Sequence, residues 1–141
     1  MMSAVIQRGR LVWLTWAVFV SCGCGTGKYP VRGRVTLDDG TPLSRGLVVF
    51  ESLDGTQGAR GMIQPDGRYE LSSARPGDGV RPGRYRVLVS ALDMSDVPDE
   101  QKSLPFDVKY TRFQTSGLEV EVKAGRNDVP IELSRPARRR K

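Results

Sequence analysis

The stretch Val31–Phe50, VRGRVTLDDGTPLSRGLVVF, decides the fold class. In its first seven residues Val31, Gly33, Val35 and Leu37 fall on one side, with Arg32, Arg34 and Thr36 on the other. That is the period of two of a half-buried β-strand, not the 3.6-residue stripe of a helix. DDGTPL then turns the chain at Gly40 and Pro42, and GLVVFESL follows as a second strand, apolar enough to lie centrally in a sheet.

The same grammar continues outward. ARGMIQ reads as a weaker third strand, and Pro65-Asp66-Gly67 as a tight hairpin turn into a fourth, RYELSS, with Tyr69 and Leu71 inward. After the Pro-Gly-rich loop ARPGDGVRPG comes the clearest strand, RYRVLVSAL, in which Tyr85, Val87, Val89 and Ala91 alternate with Arg84, Arg86, Leu88 and Ser90. A polar loop is expected from about Asp93 to Ser116. LEVEV then places Leu118, Val120 and Val122 inward, and VPIEL does the same for Val129, Ile131 and Leu133. Pro130 has no amide to donate, which predicts that the last strand lies at an edge. Sixteen glycines and nine prolines fall between the apolar segments rather than in tracts, so they mark turns and not disorder. Seven short strands in about 105 residues predict an all-β fold, a seven-stranded antiparallel β-sandwich.

Upstream, Arg8 and Arg10 precede an uncharged, mostly apolar run, Leu11–Val20. Ten helical residues span about 15 Å, half of a bilayer core, which suits a signal segment rather than a permanent span. The run ends in FVSC, so that Ser21 precedes Cys22, and Cys24 follows one glycine later. This resembles the bacterial lipoprotein signal, with Phe19 where that family usually has Leu. The resemblance implies a diacylglyceryl thioether on Cys22, with Cys24 as the fallback, and cleavage before the cysteine. A thiolate is the best side-chain nucleophile for such a transfer, and two or three acyl chains hold far better than one. A Cys22–Cys24 disulfide would close a strained ring. The expected organisation is a signal peptide over 1–21, a flexible tether over 22–29, the sandwich over 30–134 and a basic tail over 135–141.

The order of V-x-G-x-V, D-G-x-P-L, V-x-F, D-G-x-Y and PG-x-Y-x-V, ending in Tyr110, TSGLEVEV, Gly125 and Asn127, resembles the carboxypeptidase regulatory-like domains. These are small transthyretin-like (prealbumin-like) sandwiches, and the nearest pattern is that of short lipoproteins of planctomycete-type bacteria. The resemblance covers about Pro30 to Leu133 and implies a lipid-anchored sandwich facing the periplasm or the cell exterior. It implies no reaction.

The formal net charge is +6, but it comes from the ends. From Cys22 to Ser134 there are 15 basic and 16 acidic residues, which argues against a nucleic-acid-binding domain. The chain has no histidine, which removes Ser-His-Asp and Cys-His catalysis and most catalytic zinc sites. No cofactor and no metal are expected. Asp93, Asp96, Asp99 and Glu100, with Asp107 nearby, match no calcium loop and read as a solvated acidic loop. An internal Lys–Asn isopeptide bond would have to join Lys28, which lies ahead of the first strand, to Asn127.

Two features can meet partners. PARRRK can touch anionic headgroups, or be a frayed solvated end. Tyr110 and Phe113 can stack on a sugar or a protein, or pack over the open end of the sandwich. The sequence therefore points to a non-enzymatic structural or interaction module that meets the membrane through its lipid and an unidentified envelope protein or glycan. The alternative is a carbohydrate- or peptide-binding module that uses the end-loop aromatics.

Overall fold

The computed structural model describes residues 27–90 and 104–137. Its strands are β1 (Val31–Leu37), β2 (Leu47–Ser52), β3 (Gly58–Met62), β4 (Arg68–Glu70), β5 (Gly83–Ser90), β6 (Leu118–Val122), β7 (Asn127–Asp128) and β8 (Ile131–Leu133). A 3-10 turn (Val108–Thr111) and a one-turn helix, α1 (Phe113–Ser116), precede β6. No helix among the described residues is long and apolar enough to cross a membrane.

Two sheets enclose one apolar core. In the first, β1 lies between β4 and the β7–β8 segment; the second runs β3-β2-β5-β6. Val31, Val35 and Tyr69 of the first sheet meet Val48, Phe50, Val87 and Val122 of the second, all buried. Alternation places them there: in β2 every second residue, Val48, Phe50 and Ser52, is buried, and in β5 Tyr85, Val87 and Val89 are. The Pro65–Gly67 turn forms as expected, closed by a 2.8 Å bond from the Gly67 amide to the Gln64 carbonyl.

The structure corrects the expected topology at its last strand. The pairing is not all antiparallel: β1 runs parallel to β7 (Val31 opposite Asn127) and to β8 (Val35 opposite Ile131, Leu37 opposite Leu133). The expected seventh strand is also two short ones, because the ladder is interrupted at Val129 and Pro130. Pro130 is exposed on this edge, where its missing amide costs no ladder bond. Next to it the Val129 backbone approaches Gly33 so closely that a β-carbon on residue 33 would collide with the Val129 carbonyl. Tyr69 seals the same corner by donating to that carbonyl at 2.6 Å.

Residues 104–117 depart from the expected polar loop as well. Phe106 is 1% exposed and Tyr110 7%, and both belong to the core. Asp107 caps the 3-10 turn by accepting from the Lys109 amide at 2.9 Å. This segment closes the sandwich beside β5 and the end of β8, so that Tyr110 packs over the open end, the second of the two roles expected of it.

The strand directions give the domain two poles. The near pole is where the chain enters at Lys28; it holds the β2–β3 turn, the β4–β5 loop and the β6–β7 turn. At the far pole lie the β1–β2 and β3–β4 connections, the 104–117 segment and the exit from β8. Seven residues of β1 separate them, roughly 20 Å.

Candidate functional site

The residues singled out for chemistry fall in different places. Cys22 and Cys24 lie outside the described residues, as do Asp93, Asp96, Asp99, Glu100 and the stretch Arg138–Lys141. What is visible is how Lys28 and Tyr29, the last two residues of the expected tether, are fastened to the domain. The Lys28 ammonium meets Asp78 at 2.7 Å, with both side chains about four-fifths buried. The Asp78 carboxylate also accepts from the backbone amides of Ser73 (2.8 Å), Ala74 (3.0 Å) and Arg75 (3.1 Å). The Lys28 contact and these amides hold its carboxyl far below the usual carboxylate range. One residue on, Tyr29 exchanges both backbone bonds with Val80, at 2.8 and 2.9 Å. The entering chain is thus fastened as a short bridge across the near pole.

Two other carboxylates serve turns in the same way. Asp54 accepts from Ser52 and from the amide and hydroxyl of Thr56, and its pKa falls to about 2. Asp39 is lowered to about 2 by hydrogen bonds from Thr41, with Arg135 adding to the effect. These groups are ionised staples for tight loops.

Tyr110 and Phe113 share the 104–117 segment but do not form one exposed surface. Tyr110 stands in the core, with its hydroxyl 3.0 Å from the Ser134 hydroxyl and the Lys109 ammonium 4.8 Å from its ring centre. Burial pushes that hydroxyl up, but its bonds with Ser134 and the nearby Lys109 outweigh this and leave its pKa below the usual value. An external ligand has no face of this ring to stack on. Phe113 is half-buried beneath the Arg86 guanidinium, 6.0 Å from the ring centre, and Arg86 in turn meets Glu51 at 3.1 Å. Lys28 and Asn127 are each engaged elsewhere: the Asn127 amide group donates to the carbonyls of Lys123 (2.9 Å) and Gly125 (3.0 Å), closing the β6–β7 turn.

The outer face of the first sheet carries a feature the sequence reading passed over. Arg34 and Arg68 stand opposite each other across β1 and β4, and both lean on Asp66, through its carbonyl at 2.8 Å and its carboxylate at 3.4 Å. With Arg32, Arg126, Glu70 and Asp128 they line an open hollow of about 900 Å³. The signal was present in the outward positions of VRGRVTL and RYELSS, which carry arginine at 32, 34 and 68. At the near pole Arg75, Arg81 and Arg126 are exposed, and among the described residues none has a carboxylate within ion-pair distance. No group of three or more metal-binding side chains occurs among the described residues. Compared with known proteins, the chain matches no family model, no curated protein and no solved structure.

Proposed function

We propose that this chain is a bacterial lipoprotein. On this reading a transthyretin-like, carboxypeptidase regulatory-like sandwich is held outside the cytoplasm by acylation of Cys22 and works as a structural or interaction module of the envelope, not as an enzyme. The observation that carries the reading is the fastening of the entering chain at Lys28–Asp78 and Tyr29–Val80. Six residues, Cys22–Gly27, then separate the acylated sulfur from a fixed point on the domain, a reach of at most roughly 20 Å. Such a leash keeps the sandwich beside the bilayer. The depressed carboxyls Asp39, Asp54 and Asp78 support a non-catalytic role, since each is committed to a turn and none is tuned toward neutral pH for proton transfer.

Metabolic labelling with a palmitate analogue tests the anchor. Wild type and Cys24→Ala are expected to incorporate label, and Cys22→Ala to lose it. Label lost only in Cys24→Ala would move the anchor to that residue, and an unlabelled wild-type chain would remove it.

A further inference from the structure

The pole from which the tether leaves carries exposed cations that have no ion-pair partner among the described residues. Three near-pole cations are neutralised locally: Lys28 by Asp78, Arg84 by Glu119 and Lys123 by Glu121. Two near-pole carboxylates have no cation within ion-pair distance among the described residues: Asp54, which accepts from Ser52 and Thr56, and Asp128, which lines the outer hollow with Arg126. Arg75, Arg81 and Arg126 are left over, one or two on each connection that flanks the tether. Leu53, where β2 enters the β2–β3 turn at the same pole, is 41% exposed, and its amide donates to the Arg84 carbonyl. At the far pole Asp38 and Asp39 hold Arg135, and Arg45, Lys109 and Arg112 are exposed on that side. The described near pole is therefore net positive, and it is the pole from which the tether leaves.

The parallel pairing of β8 with β1 puts the exit from β8, at Ser134, at the far pole, roughly 20 Å from Lys28 along β1. That is about two Debye lengths at physiological salt, so Ser134 itself lies where an anionic surface at the near pole is largely screened. The sequence left the basic tail open between a headgroup contact and a frayed solvated end, and Arg138–Lys141 lie outside the described residues; the loops around Lys28 are a separate candidate.

We propose that the near pole is a contact surface for anionic lipid headgroups, formed by Arg75, Arg81 and Arg126 with Leu53 at the interface. Its orientation rests on the lipoprotein reading, because only an anchor at Cys22 turns this pole to the bilayer. Guanidinium groups suit the task, since their planar fork matches phosphate oxygens and they are more weakly hydrated than ammonium groups.

The test uses the full chain with Arg138→Gln, Arg139→Gln, Arg140→Gln and Lys141→Gln, so that the basic stretch does not mask the pole. Partition is measured by flotation with phosphatidylcholine vesicles, with and without about a third phosphatidylglycerol. The anionic lipid is expected to raise partition, and added salt to abolish the gain. The triple variant Arg75→Gln, Arg81→Gln, Arg126→Gln should reduce the gain by roughly tenfold or more. The triple Arg45→Gln, Lys109→Gln, Arg112→Gln removes the same charge from the far side and should change it by less than about twofold. All six positions are exposed, and unchanged melting curves establish that both variants fold. Equal losses in the two triples, or a gain that survives the near-pole triple, would overturn the proposal. Intact mass and partition into neutral vesicles report the anchor separately. If the chain is unacylated and leaves neutral vesicles while the arginine-dependent gain persists, the contact surface stands and the lipoprotein reading falls.

Discussion

The two poles of the sandwich are closed by different chemistry. At the near pole, charged side chains do the closing: Asp78 gathers Lys28 and three amides, and Asp54 gathers Ser52 and Thr56. At the far pole, Phe106 and Tyr110 fill the end of the core, the Tyr110 hydroxyl meets Ser134, and Asp39 and Asp107 only fasten the turns outside this plug. An apolar plug contributes through area removed from water, which is large and indifferent to pH. Ionised staples contribute directed bonds that fix loop geometry, at small net energy and with a dependence on protonation. The near pole is thus built to hold a chain in place, and the far pole to keep the sheets together.

The largest effect expected from this contrast is at the plug. Phe106→Ala should cost about 3–5 kcal/mol in chemical denaturation; a loss under about 1 kcal/mol would mean that the far end is not part of the cooperative core. Next comes Gly79, at φ +78° against the Tyr29 backbone, where a β-carbon meets both strain and collision. Gly79→Ala should cost about 1–3 kcal/mol and speed amide exchange at Tyr29 and Val80 more than at Phe106. Uniform speeding across the domain would erase the distinction between poles.

A pH series sharpens the comparison without mutation. The folded Asp78 carboxyl binds protons less readily than the unfolded one, so its contribution is fully present above about pH 5 and is lost as the pH falls below about 4. Protection of the Ser73, Ala74 and Arg75 amides should therefore fall between about pH 5 and pH 2, with the far-pole amides of Tyr110 and Ser134 following only at global unfolding. Simultaneous loss would show that one transition governs both ends. The smallest effect belongs to the exposed pair Arg84–Glu119, more than half solvated on each side. A double-mutant cycle should return about 0.5 kcal/mol or less, vanishing in salt.

How much of this was legible in the sequence follows from which interactions are local. The alternation of β1, β2 and β5 and the turn at Asp66-Gly67 are written within a few residues, and they stand where they were expected. Pro130 was correctly placed at an edge, because a missing donor is a property of the residue itself. The direction of the last strand was not legible. Period two says which side chains point inward, but nothing about whether Ile131 lies beside Val35 in a parallel or an antiparallel ladder. Packing of Tyr110 over the open end was among the readings, but Phe106 was passed over inside an expected polar loop, because it sits next to Asp107 and near Lys109, Thr111 and Arg112 and shows no strand period. Asp107 as a cap, with Phe106 before it and Tyr110 three residues on, was the available signal. For the candidate site, the outward arginines at 32, 34 and 68 were readable one by one, whereas the hollow they line on one sheet face, and the meeting of Arg75, Arg81 and Arg126 at one pole, depend on pairings between residues tens of positions apart.

The parallel neighbours β1 and β8 carry one more consequence, and it concerns force. A pull applied to the segments before Tyr29 and after Ser134 runs along the two strands in opposite directions. The ladder from Val35–Ile131 to Leu37–Leu133 is then loaded in shear, its rungs straining together instead of parting one at a time as in a zipper. A domain strung between two attachments through this geometry transmits tension along its length and yields only when the whole ladder gives way.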